Sequence, residues 1–332
     1  MDMREKVHAR SSRTPTRRAP KFRLVAPRHS APRLGVSSTM ARATETTTPS
    51  SASTSSATTT PPSHECEILG NRLDFRIDPQ RLNEAGVVWD AAVRALAEAV
   101  APELRRRAAR HGRVSVLELG AGTGALGVGL AAGVEGCRSL VTDLEPVVPL
   151  MRANADDAAR LGRLARDSAV ECEALAWAEE AEIPTPNAFV GDGDGDGDAR
   201  SRGWDLVAGC EILYWGGWDI FDEDTRAPLL ATMRRACALG RIPGDGDKDG
   251  DDSAELALAF TVRDKGRETG FVLDGVGEHF WLRVIPGDGD GDGDGDGVLN
   301  RARLDAEARA AVAAAREGDL LLLGGRLKDP NP

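Results

Sequence analysis

Three groups of residues have types and spacings suited to chemistry. Glu118 stands two residues before Gly120, with Gly122 and Gly124 following at every second position. Asp143 comes roughly 20 residues later. Glu211 and Tyr214, the only tyrosine in the chain, stand three apart. Closely spaced glycines let a turn bring its backbone against a bound ligand. An acid ending the next strand can accept charge-assisted hydrogen bonds from sugar hydroxyls. A carboxylate can orient a cationic substrate, and a phenol can accept a hydrogen bond or offer its ring to the cation.

These residues need elements to hold them. Val114–Leu119 is short, apolar and partly β-branched, which predicts a buried parallel strand. The glycines form the turn after it, and Leu126 and Leu130 mark one face of the helix that follows. Residues 139–143 predict a second strand ending in Asp143, and Asn154 falls on the helix beyond it. Residues 170–175, with Trp177 at the exit, predict a third strand, and residues 204–215 a fourth with its outgoing loop. Glu211 and Tyr214 then lie at the carboxyl edge of the sheet, where open α/β sheets bind ligands. Further elements are a helix at 229–239, a strand at 255–262 with Leu256, Leu258, Phe260 and Val262 on one side, and a helix at 271–280. A strand at 281–285, a helix at 301–316 and a strand at 320–323 complete the pattern. Alternating strands and helices imply a mainly parallel sheet covered on both faces.

Upstream of the glycines, Gly70-Asn71 between apolar residues in 67–77 signals a hairpin. Asp90 is expected to cap a helix with the stripe Val93, Leu96, Val100 and Leu104. Arg105, Arg106 and Arg107 on its polar face are expected to be a solvated cluster suiting the helix dipole rather than a nucleic-acid site.

Composition bounds the rest. Residues 1–64 are expected to be a disordered N-terminal region: the first 42 carry eleven Lys or Arg against Asp2 and Glu5, and 46–63 is all Ser, Thr, Ala and Pro. That makeup suits an organelle transit peptide, and Met40 is an alternative start that would remove most of the basic part. The location is therefore cytoplasmic, or chloroplast or mitochondrion if the segment is a transit peptide. Residues 65–332 are expected to be one domain with low-complexity Gly-Asp insertions at 191–198, 244–252 and 287–297. The tracts hold fourteen aspartates, so the net charge of -11 says little about partners. They make poor calcium loops, because the twelfth positions of the best registers are Gly203, Leu256 and Arg303 rather than glutamate. Scattered cysteines with no CxxC pair argue against a disulfide framework or zinc site. No run of about 18 apolar residues predicts a membrane span. No metal, nucleic acid or membrane is expected as a partner.

Gly122-x-Gly124-x-x-Gly127 matches the dinucleotide fingerprint, with Asp143 placed for a ribose. The fuller phrase Glu118-Leu-Gly120-Ala-Gly122-Thr-Gly124 resembles motif I of class I S-adenosylmethionine-dependent methyltransferases. A narrower resemblance runs over roughly residues 65–325. Glu67-Ile-Leu-Gly-Asn-Arg-Leu, Gly86-Val-Val-Trp89-Asp90-Ala-Ala, motif I, Val141-Thr-Asp143 and Asp205-Leu-Val-Ala-Gly-Cys-Glu211-Ile-Leu-Tyr214 occur in that order. This set resembles methyltransferase family 16, the seven-β-strand protein-lysine methyltransferases. The resemblance implies a Rossmann-like α/β fold, with a seven-stranded mostly parallel sheet, helices on both faces and an antiparallel last strand. It also implies S-adenosylmethionine as co-substrate and a protein presenting a lysine as partner. Glu118, Gly120, Gly122, Gly124 and Asp143 would serve the cofactor, Asp143 by taking both ribose hydroxyls. Trp89 and Trp177 would line the cofactor site, with Cys210 on the cofactor side of the fourth strand. Glu211 and Tyr214 are the catalytic candidates. Glu211 departs from the family, which usually has Asp there.

The competing reading is a nicotinamide-dependent oxidoreductase. It has no Tyr-x-x-x-Lys pair, since Trp218 stands where the lysine should follow Tyr214. A binding protein that keeps the fold without catalysis, and a methyltransferase acting on a small molecule or nucleic acid, are further alternatives. The absence of an Asn-Pro-Pro-Tyr type loop after the fourth strand weakens amino-methylation of bases.

Overall fold

A computed structural model describes residues 62–186, 203–213, 225–239, 254–285 and 298–328, the first three of the last segment by backbone only. A hairpin opens the fold: β1 (Ser63–Ile68) pairs antiparallel with β2 (Asn71–Arg76). The short α1 (Pro79–Leu82) and a 3-10 turn (Asn83–Gly86) lead into α2 (Asp90–His111). Then come β3 (Val114–Leu119), α3 (Ala125–Gly133), β4 (Cys137–Asp143), α4 (Val148–Arg160), β5 (Ala169–Ala174) and β6 (Leu206–Cys210). After α5 (Arg226–Ala238) and β7 (Glu255–Thr261), a π-helical stretch ends in α6 (Gly277–His279). β8 (Phe280–Val284), α7 (Val298–Ala314) and β9 (Leu320–Leu327) finish it.

The seven-stranded sheet runs in the order β5-β4-β3-β6-β7-β9-β8. Every pairing from β5 to β7 is parallel, while β9 is antiparallel to both β7 and β8. The chain thus starts at the sheet centre, winds outward to β5, crosses back to β6, and inserts its last strand inside the far edge. This is the Rossmann-like class I methyltransferase fold expected from the sequence.

Both faces are buried, which explains why the central strands are apolar almost throughout. Val114 and Val116 of β3 join Ala257 and Ala259 of β7 in a core under α2 and α3. Leu117 and Leu119 of β3 join Leu256, Leu258 and Phe260 of β7 under α5, the π-helical stretch and α7. The stripe Val93, Leu96, Val100 and Leu104 of α2 is buried as expected.

Four expectations are corrected. The hairpin turn is Leu69-Gly70, not Gly70-Asn71; both have positive φ (51° and 76°), and Ile68 pairs directly with Asn71. Tertiary packing sets this register, because Leu69 fills the space that a side chain at Gly133 of α3 would take. Asp90 does not cap α2: Trp89 is the N-cap, and no side chain caps that end. Asp90 instead supplies an acid to the first turn, where the helix dipole favours it. Arg107 is not solvated; it is buried between Glu103 (2.7 Å) and Asp205 (3.6 Å), while Arg105 donates to the Gly133 carbonyl. The helix expected at 271–280 begins earlier and is π-helical over Lys265–Thr269 and Phe271–Val276. Gly266, Gly270, Gly275 and Gly277 weaken α-helical preference there. The first described strand begins at Ser63. The basic N-terminal segment, all three Gly-Asp tracts, Tyr214, Trp215 and Trp218 lie outside the described residues.

Candidate cofactor and active site

The glycine turn sits where β3 ends and α3 begins. Gly120, Gly122 and Gly124 all have positive φ (63°, 56° and 77°), a conformation that other residues adopt at a cost. Two of them are also covered closely. A Cβ at Gly120 would lie 2.7 Å from Ile212 and 3.1 Å from the Trp177 ring, and one at Gly122 would lie 2.9 Å from the Ala85 carbonyl oxygen. Trp177 stands beside the turn, as do Ile212 and Ala85, which sequence reasoning missed. Ile212 is adjacent to Glu211 in the chain, so its signal was available. Ala85 sits just before the Gly86-Val-Val-Trp89 phrase.

Two acids brace the turn from different sides. Glu118 is buried, and its Oε2 accepts the Gly127 N–H at 2.8 Å, tying the strand end to the first turn of α3. Burial pushes its pKa up to about 8; the Gly127 bond opposes this and the Asp143 charge adds to it. Glu118 therefore acts from beneath the turn. Asp143, at the end of β4, accepts the Gly122 N–H on Oδ2 at 2.8 Å and the Leu144 N–H on Oδ1 at 2.7 Å. Burial raises its pKa, and those two bonds lower it. Each carboxylate oxygen has used one acceptor direction and keeps a second, so the group can still take a vicinal diol. Asn154 of α4 fastens the assembly: it donates to the Thr123 carbonyl (2.9 Å) and exchanges hydrogen bonds with the backbone of Arg76.

The far wall is the end of β6. Cys210 is buried in the core under α2 and α3, and burial, with the Glu211 and Glu118 charges, holds its thiol protonated. It packs as a small apolar group. The chain then turns through Glu211 in the left-handed region (φ 58°), a strained conformation of the kind that concentrates at functional sites. Its carboxylate accepts the Thr261 hydroxyl (2.7 Å) and backbone N–H, and pairs with Arg263 at 2.7 Å. Its side chain is only 2% exposed. Trp89 lies across the site, donating its indole N–H to the Glu84 carbonyl at 3.2 Å, with the Arg263 guanidinium 4.9 Å from its ring centroid.

A separate groove of about 320 Å³ runs between the β1–β2 hairpin and α4, lined by Arg72, Asp74, Asn154, Asp157 and Arg163 among others. It contains none of the turn residues, and the converging acids and glycines, not this groove, mark the site. Among the described residues no three His, Cys, Asp or Glu side chains are grouped to hold a metal ion, and no helix is long and apolar enough to cross a membrane.

Comparison with known proteins matches the part of the chain that holds the glycine turn and Asp143. A family described as lysine methyltransferase, methyltransferase family 16, matches residues 70–189. Protein N-lysine methyltransferase METTL21A of Danio rerio is 30% identical over 171 residues, 52% of this chain and 64% of that protein. The Mus musculus protein of the same name is 29% identical over 170 residues, 51% of this chain and 63% of its own length. The chain thus spans somewhat less than two thirds of these relatives. Magnesium protoporphyrin IX methyltransferase from Synechocystis PCC 6803 is 13% identical, covering 75% of this chain and 89% of its own, with a TM-score of 0.33. That likeness is too loose to define the fold, which the strand order defines by itself. The stretch similar to methyltransferase family 16, residues 70–189, carries the glycine turn, Asp143 and Trp177.

Proposed function

We propose that the chain transfers a methyl group from S-adenosylmethionine to lysine side chains of protein. The observation that carries this is Asp143: it is locked to the glycine turn through Gly122 at 2.8 Å, yet keeps an acceptor direction open on each oxygen. That is what holding both ribose hydroxyls of the cofactor requires. Trp177 and Ile212 wall the turn on one side, and Ala85 and Trp89 close it on another. The match to a lysine methyltransferase family and the two relatives named as lysine methyltransferases support lysine as the acceptor.

S-adenosylmethionine, held through Asp143 and the glycine turn, would supply an electrophilic methyl carbon to the lysine amine and leave as S-adenosylhomocysteine. The protein's part is alignment, holding nucleophile and methyl carbon in line and close. The lysine must arrive neutral, and an approach withdrawn from water would disfavour its charged form. Glu211 fixes the rim over which the lysine approaches, through its bonds to Thr261 and Arg263. Tyr214, the second catalytic candidate in the sequence, lies outside the described residues.

Calorimetry with S-adenosylhomocysteine and with NADH tests the cofactor, and S-adenosylhomocysteine alone is expected to bind. Asp143→Ala is expected to abolish that binding, since two charge-assisted hydrogen bonds are worth on the order of a hundredfold or more in affinity. Unchanged affinity sinks the ribose assignment. Labelled S-adenosylmethionine incubated with a cell lysate is expected to mark protein lysines. Label on a small molecule or nucleic acid would overturn the lysine assignment.

A further inference from the structure

We infer that Arg263 is a positioning residue of this site, holding the rim acid Glu211 and the cofactor-side Trp89 in one array. The inference rests on the methyl-transfer reading above. Arg263 lies two residues past the end of β7, at the carboxyl edge of the sheet. Its Nη2 is 2.7 Å from Glu211 Oε2, and the same guanidinium lies over the Trp89 ring at 4.9 Å. One side chain therefore links the strand end that bears the substrate rim to the start of α2. From Trp89 the link continues through the Glu84 carbonyl to its neighbour Ala85, which lies against Gly122 of the glycine turn.

Arg263 is itself held. Its backbone N–H donates to Glu268 Oε2 at 2.6 Å, Asp264 donates to the same oxygen at 3.2 Å, and Arg263 Nη1 reaches the Thr261 carbonyl at 3.3 Å. Glu268 is buried, so the π-helical stretch after β7 has the task of presenting this arginine. An exposed ion pair would contribute little, but the Glu211 side chain is 2% exposed and that of Arg263 25%. The pair is largely withdrawn from water, so its geometry is rigid enough to set the positions of both partners. A planar guanidinium can bond a carboxylate edge-on while stacking face-on over an indole; an ammonium cannot do both.

The test uses the full chain with Arg263→Met and Arg263→Lys. Tritiated S-adenosylmethionine and a fixed amount of cell lysate give KM for the methyl donor and the rate at saturation, alongside melting temperature. Arg263→Met is expected to lower the saturated rate about tenfold and raise KM several-fold, on the order expected for losing a partly desolvated ion pair and a cation–π contact. Arg263→Lys is expected to restore the rate more than KM, because it keeps the pair and loses the stack. A fall in melting temperature with rate and KM unchanged would reduce Arg263 to a structural residue and overturn the inference. If Arg263→Met does not fold, Arg263→Lys and Trp89→Phe, singly and together, serve instead. Non-additive effects on KM support the array, and additive effects overturn it. Wild-type protein that fails to bind S-adenosylhomocysteine sinks the methyl-transfer reading itself, a result read before any Arg263 variant is compared.

Discussion

Asp143 and Glu211 stand at the ends of β4 and β6, on either side of β3, and differ in what they leave open. Asp143 spends one acceptor on each oxygen and keeps the rest for a ligand. Glu211 spends its carboxylate on Thr261 and Arg263 and is almost wholly buried. The length of the glutamate side chain gives the carboxylate the reach to cross to Thr261 on β7. Glu211→Gln keeps an amide oxygen for Thr261 and removes the negative charge facing Arg263. Its S-adenosylhomocysteine affinity is expected to stay within about threefold of wild type, while methyl transfer falls by about a hundredfold, the low end for a misplaced active-site group. Retained turnover would remove Glu211 from the site. The two acids were equally visible in the sequence, since each follows an apolar run. Their difference was not, because the partners of Glu211 lie 50 and 52 positions further on, Thr261 and Arg263, and only the parallel pairing of β6 with β7 brings them alongside.

Among the elements, α3 shows how tightly the glycine turn is seated. It is a helix of nine residues containing three glycines, a composition that helix preference alone disfavours. The glycines are there for contact: a Cβ at Gly127 would lie 2.3 Å from Val141 of β4 and 3.0 Å from Glu118, and one at Gly129 would lie 2.6 Å from Ile68 of β1. Gly127→Ala therefore sets two effects against each other. Helix preference favours alanine by about 1 kcal/mol, and overpacking against a β-branched side chain fixed on a strand costs about 1–3 kcal/mol. At 2.3 Å the clash wins, so the urea midpoint is expected to fall; an unchanged or raised midpoint would mean that α3 can lift off β4 freely. Local pattern told where most elements lie, because the strand–glycine–helix unit and the α2 stripe are written in adjacent residues. It misplaced the hairpin turn by one residue and solvated Arg107, because Gly133 and Asp205, the groups that decide those cases, are remote in the chain.

At the scale of the molecule, the sheet order brings two like-charged acids to the same end of adjacent strands. The Asp143 charge at the end of β4 adds to the cost of ionising Glu118 near the end of β3, beyond the larger cost of burial. This has a consequence for the stability of the whole fold. The pKa of Glu118 is raised from 4.5 to about 8 in the folded chain, so over most of that interval the native state holds a proton that the unfolded state has released. Stability then falls as pH rises, by up to about 1.4 kcal/mol per pH unit for one proton. The contribution is complete below the unfolded value of 4.5 and is lost as pH passes through about 8; Asp143, also raised, acts in the same direction. Asp157 is shifted the opposite way by Arg160 and Arg76, so its effect is confined to pH below its ordinary value of 3.8, outside this window. Urea midpoints taken between about pH 5 and about pH 8 are therefore expected to decline for the wild-type chain. Glu118→Gln still offers an oxygen to the Gly127 N–H but has no proton to lose, so its decline is expected to be shallower and its midpoint higher than wild type at pH 8. Parallel declines in the two proteins would show that Glu118 ionises as easily in the fold as in the open chain, and that the acid beneath the glycine turn is reached by water.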